Sequence, residues 1–261
     1  MMKPARPAAT VAVLRDSAGG PEVFLVKRNA KTVFFPHAHV FPGGRVDEED
    51  ADVTVVGGEV DRERMGCENA VAYQAAAIRE TYEEAGILLA EGEGSDALRH
   101  ALHERKEGLG EMAARQGWVL NAENLVYWSW WVTPEVESRR YSARFFVAGI
   151  RDGENAKHDA VETVDSEWVR PCDALKKFDR GELFLAPPTH FTLVELQDYP
   201  TVQAVLTAGR MRATPAIMPL LRPQENGSLE VLLPGHPDHP SQDSLEGVNR
   251  FFMDYTPFQN S

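Results

Sequence analysis

The sequence predicts a single domain of the α/β (α+β) class, in which a mixed β-sheet and helices form layers. Three observations support this prediction. Short β-rich apolar runs alternate with helical segments along the chain. A chain of 261 residues can bury a large core without disulfides, and it contains only two cysteines. No internal repeat or low-complexity segment divides it. We therefore expect one domain over residues 1–261, with an insert at about 45–67 and a C-terminal extension at about 186–261.

The first elements are predicted to be a β-hairpin and a long helix. Residues 9–28 contain two apolar, β-rich runs around DSAGGP, a turn sequence rich in glycine and proline. A third apolar run, HVFPGG, ends at the double glycine. The acidic stretch that follows has the composition of an inserted loop. The next strong helical pattern covers residues 68–89.

The second half of the chain is predicted to alternate strands with helices. Polar helices begin at a cap near Ser95. The aromatic runs NLVYWSWWVTP and RRYSARFFVAGI are typical of neighbouring strands. VETVDSEWV follows as a strand, and Pro171 opens a short helix. Two helices and a hairpin with an Asn226-Gly227 turn complete the prediction.

The charge of the chain excludes several classes of partner. Forty acidic residues against 27 basic ones give a formal charge of −13, which argues against a nucleic acid or an anionic membrane as the main partner. No segment reaches the roughly 18 apolar residues of a membrane span. The N-terminal residues lack the apolar stretch of a secretory signal. We expect a soluble, cytoplasmic protein, with a homodimer left open as its oligomeric state.

One segment of the long helix, RETYEEAGI, concentrates carboxylates on one side. With 100° per residue counted from Arg79, the side chains of Glu83, Glu80 and Glu84 fall at about 40°, 100° and 140°, opposite the apolar residues. Carboxylates gathered on one arc repel each other unless a cation binds between them. Oxygen ligands of this kind suit Mg²⁺ or Mn²⁺. The alternative is a solvated acidic face on which Arg79 pairs with Glu83.

The double glycine and this helix together resemble the Nudix hydrolases, whose box reads G-x5-E-x7-R-E-U-x-E-E-x-G-U, with U aliphatic. FPGGRV matches the start of the box, and RETYEEAGI matches its second half, with Thr81 at an aliphatic position. The arginine follows Gly44 by 35 positions, 21 more than the box allows. Counting back from Arg79 places the first box glutamate at Val71, with Glu68 as the nearest replacement.

The split box is similar to the peroxisomal-type acyl-coenzyme A diphosphatase branch of that family, as are APPTHFTL and the WVTPE and RRYSARFFVA runs. The resemblance implies an α/β/α sandwich and a metal-dependent enzyme. It also implies cleavage of coenzyme A or acyl-coenzyme A to 3′,5′-ADP and (acyl-)4′-phosphopantetheine. The implied ligands of the metal are Glu80, Glu83, Glu84 and the carbonyl of Gly43, and Arg79 is expected to orient the glutamates.

Further candidate residues lie outside the box. Glu162 is a candidate general base, with an exposed strand-end charge as the alternative. Arg140 and Arg144 share a strand face and are candidates to hold phosphate, unless they pair with surface acids. Arg28 is a candidate for phosphate binding at the end of a strand. The tryptophans of the aromatic strand are expected to pack in the core, with base stacking as the alternative.

Two rival functions remain open at this point. One is a Nudix enzyme acting on ADP-ribose, NADH or a nucleotide sugar, which shares the metal chemistry and differs in the pocket. The other is a non-catalytic Nudix-like module that binds a nucleotide. The three helix glutamates favour an enzyme, whereas Val71 favours the module. A structural α/β domain with a solvated acidic helix is a weaker third option.

Overall fold

An eight-stranded mixed sheet forms the centre of the molecule. The computed structural model describes residues 4–30, 35–150, 156, 163–225, 228–241 and 250–253. Its strands are β1 (Arg6–Arg15), β2 (Glu22–Arg28), β3 (His39–Val40), β4 (Gly43–Arg45), β5 (Ala90–Glu91), β6 (Val119–Leu120), β7 (Leu125–Val132), β8 (Tyr141–Gly149), β9 (Thr163–Val169), β10 (Ala216–Ile217), β11 (Leu220–Pro223), β12 (Leu229–Leu232) and β13 (Arg250–Met253). Its helices are α1 (Glu59–Met65), α2 (Ala70–Ala85), α3 (Asp96–His103), α4 (Leu109–Gln116), α5 (Pro171–Asp179), α6 (Pro187–Leu196) and α7 (Val202–Met211), with a 3₁₀ helix at Glu48–Asp52.

Strand β1 lies inside the sheet and pairs with three other strands. The strands lie in the order β10-β7-β8-β1-β2-β3, while β4 also pairs with β1 and β9 with β2. β1 is parallel to β8 from Arg6 to Leu14. On its other side, its first half pairs with β4 and its last two residues pair with β2, both antiparallel. This divided edge allows β4 to enter the sheet directly beside β1.

Helices cover both faces of the sheet, which confirms the predicted α/β/α layers. On one face, α2 packs on β1, β7 and β8 through residues such as Ile78, Tyr127 and Phe146. On the other face, α6 and α7 pack through residues such as Leu193 and Leu206. Alternate residues of each strand enter each core, as the two-residue period of a strand requires. Both faces of the central strands are therefore buried.

Helix α2 carries the glutamates and has a clear physical basis. Its first half is rich in alanine, a strong helix former, and its small side chains allow close packing on the sheet. It ends at Gly86, whose φ of 72° lies in the left-handed region and whose N–H donates to the carbonyl of Tyr82 at 3.0 Å. The predicted helix over residues 68–89 is thus correct in type, with ends at Ala70 and Ala85.

Most of the predicted elements are present. β1 and β2 form the N-terminal hairpin, Ser95 caps α3 by accepting from the Leu98 N–H, and Pro171 opens α5. β11 and β12 pair as the closing hairpin, although its Asn226-Gly227 turn lies outside the described residues. Among the residues described, no helix combines the length and apolar character that a bilayer crossing requires.

The predicted insert has more structure than a loop. Residues 45–67 contain the end of β4, the 3₁₀ helix and α1. Arg64 on α1 donates to the carbonyl of Arg212 at 2.9 Å, so α1 is tied to the segment that follows α7. The C-terminal segment in turn adds β10 to the edge of the central sheet beside β7. Both additions are therefore packed into the body of the domain.

Candidate active site

A cavity of about 420 Å³ opens where β4 meets α2. It extends from the β2–β3 side of the sheet past β4, β1 and β8 to the end of β7. The residues that line it include Arg28, Phe35, Val40, Phe41, Gly43, Gly44, Arg45, Arg79, Glu80, Glu83, Glu84, His103, Arg105, Trp131, Val132, Thr133, Pro134, Glu137, Arg139, Tyr141, Ala143, Thr163, Pro187, Pro188, Pro219 and Leu221. Acidic, basic and apolar groups thus share one space that suits a substrate with chemically different parts.

Arg79 organises the acidic part of this cavity. Its Nε and Nη2 donate to the two carboxylate oxygens of Asp50 at 3.1 and 3.0 Å, and Nη2 also donates to the carbonyl of Arg45 at 2.7 Å. Its Nη1 donates to Glu80 Oε1 at 2.8 Å and lies 3.5 Å from Glu83 Oε2. The bidentate bond to Asp50 fixes the plane of the guanidinium, which then holds two of the glutamates.

The double glycine lets β4 approach the other glutamate oxygens. The Gly43 N–H donates to Glu84 Oε2 at 2.8 Å. A Cβ atom placed on Gly44 would lie 2.5 Å from Glu80 Oε1, so a side chain at this position would collide with the carboxylate. The glycines therefore bring the backbone of β4 against the carboxylates of α2. This explains in physical terms why the motif needs small residues here.

Burial shifts the pKa of two groups in this cluster. Burial opposes the charge on Arg79, but its hydrogen bond to Asp50 and the charges of Glu80 and Glu83 outweigh this effect and raise its pKa. Burial also raises the pKa of Glu83, and the nearby Arg79 charge offsets only part of this increase. Arg79 is thus a permanent cation, whereas Glu83 holds its proton more readily than an exposed glutamate.

The structure brings six of the predicted site residues into one cavity. Gly43, Glu80, Glu83 and Glu84 line it together with Arg79. Arg28 also lines it, at a point where a register shift in the β2–β9 pairing interrupts the regular alternation of the strand. The predicted base Glu162 lies outside the described residues.

Arg140 and Arg144 are not among the residues that line the cavity. Tyr141 and Ala143 line it, so the alternation of β8 turns Arg144 towards the opposite face of the sheet. There Arg144 is 5% exposed, lies 3.7 Å from the ring of Trp130 and donates to the hydroxyl of Tyr127. Arg140 precedes the strand, and its Nε donates to the carbonyl of Thr133. The prediction that this pair holds phosphate does not fit these positions.

Asp50 is a site residue that was not predicted from the sequence. It is 2% exposed and forms the bidentate pair with Arg79. It is also the sixth residue after Gly44, which is where the box places its first glutamate when counted from the glycine. Counting back from Arg79 reaches Val71 instead, because the extra residues of the insert lie between Asp50 and Arg79. Glu68 is exposed in a turn and is not the replacement.

The donors in this cavity fit a hard divalent cation. Three glutamates share the space beside the β4 backbone, and carboxylate oxygens are the ligands that Mg²⁺ and Mn²⁺ prefer. Within the described ranges, no three acidic, imidazole or thiol side chains converge on one point in a metal-binding arrangement. Glu84 is bonded to Gly43, while Glu80 and Glu83 face Arg79. The fit therefore rests on donor type and shared location.

Comparisons with known proteins agree with this geometry. The family model of the NUDT19 Nudix domain matches residues 58–196, more than half of the chain. A protein named acyl-coenzyme A diphosphatase NUDT19 from Xenopus laevis is 25% identical over 87% of this chain and 73% of its own length. The protein of the same name from Gallus gallus is 26% identical over 89% of this chain and 76% of its own length.

A solved structure extends the likeness to the fold. The crystal structure of a Nudix hydrolase from Alicyclobacillus acidocaldarius aligns with a TM-score of 0.68 and 26% identity, covering 79% of this chain and 97% of that one. The sandwich, the double glycine beside α2 and the Arg79 cluster therefore occur in a chain whose relatives share both sequence and fold. This protein belongs to the Nudix hydrolases, in the group that the NUDT19 Nudix domain defines.

Proposed function

We propose that this hydrolase cleaves the diphosphate bond of coenzyme A and acyl-coenzyme A, with Mg²⁺ or Mn²⁺ as its cofactor. The products are 3′,5′-ADP and (acyl-)4′-phosphopantetheine. The observation that carries the proposal is the similarity to proteins named acyl-coenzyme A diphosphatase over 87% and 89% of the chain. The cavity supports it, because acidic, basic and apolar groups there match the chemically different parts of this substrate.

The residues around Arg79 prepare the site for diphosphate cleavage. We assign Glu80, Glu83 and Glu84 as the side chains that hold the cation, with the Gly43 carbonyl as a further ligand. A bound divalent cation supplies charge neutralisation on the diphosphate and a more acidic attacking water. Arg79 keeps Glu80 and Glu83 in place, and the Gly43 N–H does the same for Glu84. In the reaction the water oxygen bonds to one phosphorus atom, and the bridging oxygen leaves with the other phosphate.

Two further residues complete the assignment. Glu162 is the proposed general base, which accepts the proton of the attacking water. Arg28 is the proposed contact to the anionic part of the substrate, because it lines the cavity at its β2 side. A Glu162→Gln enzyme should lose the base-dependent limb of the rate profile against pH. An unchanged profile would remove Glu162 from the mechanism.

The function is tested by product analysis. The purified protein is incubated with Mg²⁺ or Mn²⁺ and, separately, with coenzyme A, acetyl-coenzyme A, ADP-ribose and NADH, and the products are separated by chromatography. We expect 3′,5′-ADP from both coenzyme A substrates. AMP from ADP-ribose or NADH alone would keep the Nudix chemistry and overturn the substrate. Tight binding of these ligands without any cleavage would identify a binding module.

The cellular location belongs to the same proposal. The acidic composition and the scarcity of cysteine support a cytoplasmic enzyme that acts on a small nucleoside diphosphate derivative rather than on a nucleic acid. Fractionation of cells that produce the tagged full-length chain tests the location. Recovery of the protein with an organelle fraction would contradict it.

A further inference from the structure

The indole N–H of Trp131 is not satisfied within the part of the chain that the structure describes. Its side chain is part of the cavity wall and is 3% exposed, yet its indole Nε1 has no acceptor among the described residues. Three other tryptophans do donate: Trp118 to the carbonyl of Glu93, Trp128 to Glu195, and Trp130 to the hydroxyl of Ser142. A buried donor without an acceptor is destabilising, so a bound molecule that supplies an acceptor here would gain a favourable contact.

The surroundings of Trp131 are largely apolar. Val132 and Pro134 continue the wall along the chain, and Pro219 and Leu221 add to it from the C-terminal segment. Phe191 of α6 packs edge-on against the Trp131 ring, with ring centroids 5.6 Å apart, and so fixes the ring. Thr133, Glu137 and Arg139 also line the cavity, and the last two carry opposite charges.

This wall lies away from the glutamates. From β7, which carries Trp131, the sheet passes through β8 and β1 to β4, a separation of three strand spacings or about 14 Å. The diphosphate belongs beside β4, so a group bound at Trp131 is one that is linked to the diphosphate. Arg28 lies in the opposite direction, on β2.

We propose that Trp131 and the apolar wall around it bind the neutral, amide-containing arm of the substrate, with the Trp131 N–H donating to an oxygen of that arm. The inference rests on the proposed function and assigns one half of coenzyme A to one end of the cavity. The pantetheine arm is uncharged and carries amide carbonyls, which match a single donor in an apolar wall. The ADP half carries phosphates, whose burial against such a wall would be costly. Trp131 is therefore a specificity-determining residue.

Binding of the two product halves tests the assignment without relying on turnover. Calorimetry measures the affinity of 4′-phosphopantetheine and of 3′,5′-ADP for the full-length protein and for two variants. Trp131→Phe removes the donor and keeps a ring, and we expect it to weaken 4′-phosphopantetheine about 5- to 10-fold while 3′,5′-ADP changes less than about twofold. Trp118→Phe, which removes an indole donor away from the cavity, should change neither affinity.

The outcomes separate this inference from the proposed function. Equal weakening of both halves by Trp131→Phe, weakening of 3′,5′-ADP alone, or unchanged binding of both would overturn the role of Trp131. If the unmodified enzyme cleaves coenzyme A in those cases, the proposed function stands. If it cleaves no coenzyme A, the proposed function fails, and the binding comparison still decides whether this wall recognises the arm. Failure of the unmodified protein to bind 4′-phosphopantetheine would also overturn the inference.

A second variant tests the wall if Trp131→Phe does not fold. Leu221→Ala shortens a half-buried side chain of the wall. We expect it to lower the ratio of kcat/KM for octanoyl-coenzyme A to that for coenzyme A by about 3- to 10-fold, because acyl carbons lose apolar contact. An unchanged ratio would show that the acyl end of the arm lies elsewhere and would overturn the assignment of this wall.

Discussion

Asp50 and Arg79 form the central residue pair of the site. Their bidentate bond is buried and joins the segment after the double glycine to the middle of α2. The pair fixes a guanidinium that also holds Glu80 and Glu83. A residue outside the glutamate cluster thereby determines where the cluster lies.

We predict that Asp50→Asn lowers the free energy of unfolding by about 3 kcal/mol, because it leaves the Arg79 charge buried without its main partner. Activity should fall as well, since Arg79 no longer has a fixed orientation. Urea denaturation measures the first effect and turnover the second. The matched control is Glu68→Gln, which removes the same charge from an exposed turn and should change neither quantity. Equal effects of the two substitutions would refute the pairing.

Glu84 allows a cleaner separation of activity from folding. In Glu84→Gln the amide oxygen still accepts from the Gly43 N–H, so the contact between α2 and β4 is kept. We expect kcat/KM to fall about 100- to 1,000-fold, because a charge at the reacting diphosphate is lost. The free energy of unfolding should change by less than about 1 kcal/mol. Retained turnover in this variant would contradict the assignment of the cation ligands.

At the scale of elements, the contact of β4 with β1 and α2 makes its two glycines unequal. A Cβ on Gly43 would lie 2.4 Å from the carbonyl oxygen of Ala9 and 2.6 Å from the Cα of Thr10, both backbone atoms of β1. A Cβ on Gly44 would meet the flexible end of Glu80 instead. Gly43 therefore allows β4 to pair closely with β1, and Gly44 leaves room for the carboxylate of Glu80.

This difference predicts opposite outcomes for two similar substitutions. Gly43→Ala should destabilise the fold by about 1–3 kcal/mol, because the strands must separate. Gly44→Ala should fold with nearly unchanged stability and lose activity, because Glu80 is displaced. Denaturation curves and turnover of both proteins under the same conditions measure the contrast. A stable Gly43→Ala protein beside an unstable Gly44→Ala protein would contradict it.

Elements with local signals could be predicted from the sequence, and their relative placement could not. The end of α2 follows from Gly86, and the carboxylate face follows from the helical period. The side of the sheet on which Arg144 lies could not be predicted. Residues 144–148 are all buried, so β8 lacks the alternation of apolar and polar residues that identifies a solvent-exposed side. Asp50 was not predicted because the insert lies between it and Arg79. Counting back from Arg79 therefore reaches Val71, whereas counting forward from Gly44 reaches Asp50.

At the scale of the whole molecule, acid should weaken the fold through His190. Burial lowers the pKa of this residue to about 4, and Asp179 opposes the shift only in part. The unfolded chain, with a histidine pKa near 6.5, binds the proton more readily, so stability is lost as the pH falls from about 6.5 to about 4. The loss from this group amounts to at most about 3 kcal/mol.

The measurement is the free energy of unfolding at several pH values across this window. His190→Phe keeps a ring against Phe178, whose centroid lies 4.8 Å away, and should flatten the decline. His100→Phe, at an exposed position, should leave the decline unchanged. If His190→Phe and the unmodified protein decline in parallel, other groups are responsible for the acid sensitivity.

The parallel pairing of β1 with β8 also determines when the sheet can form during synthesis. Arg6 lies opposite Tyr141, so β1 leaves the ribosome well before its long partner β8, which follows more than a hundred residues later. At 5–20 residues per second, roughly 7 to 27 s pass during synthesis between β1 and the start of that partner strand. Such sequence-distant pairing is typical of slow folding. The nascent chain therefore carries an apolar strand, and no complete cavity, until β8 and the cavity-lining residues that follow it have been translated.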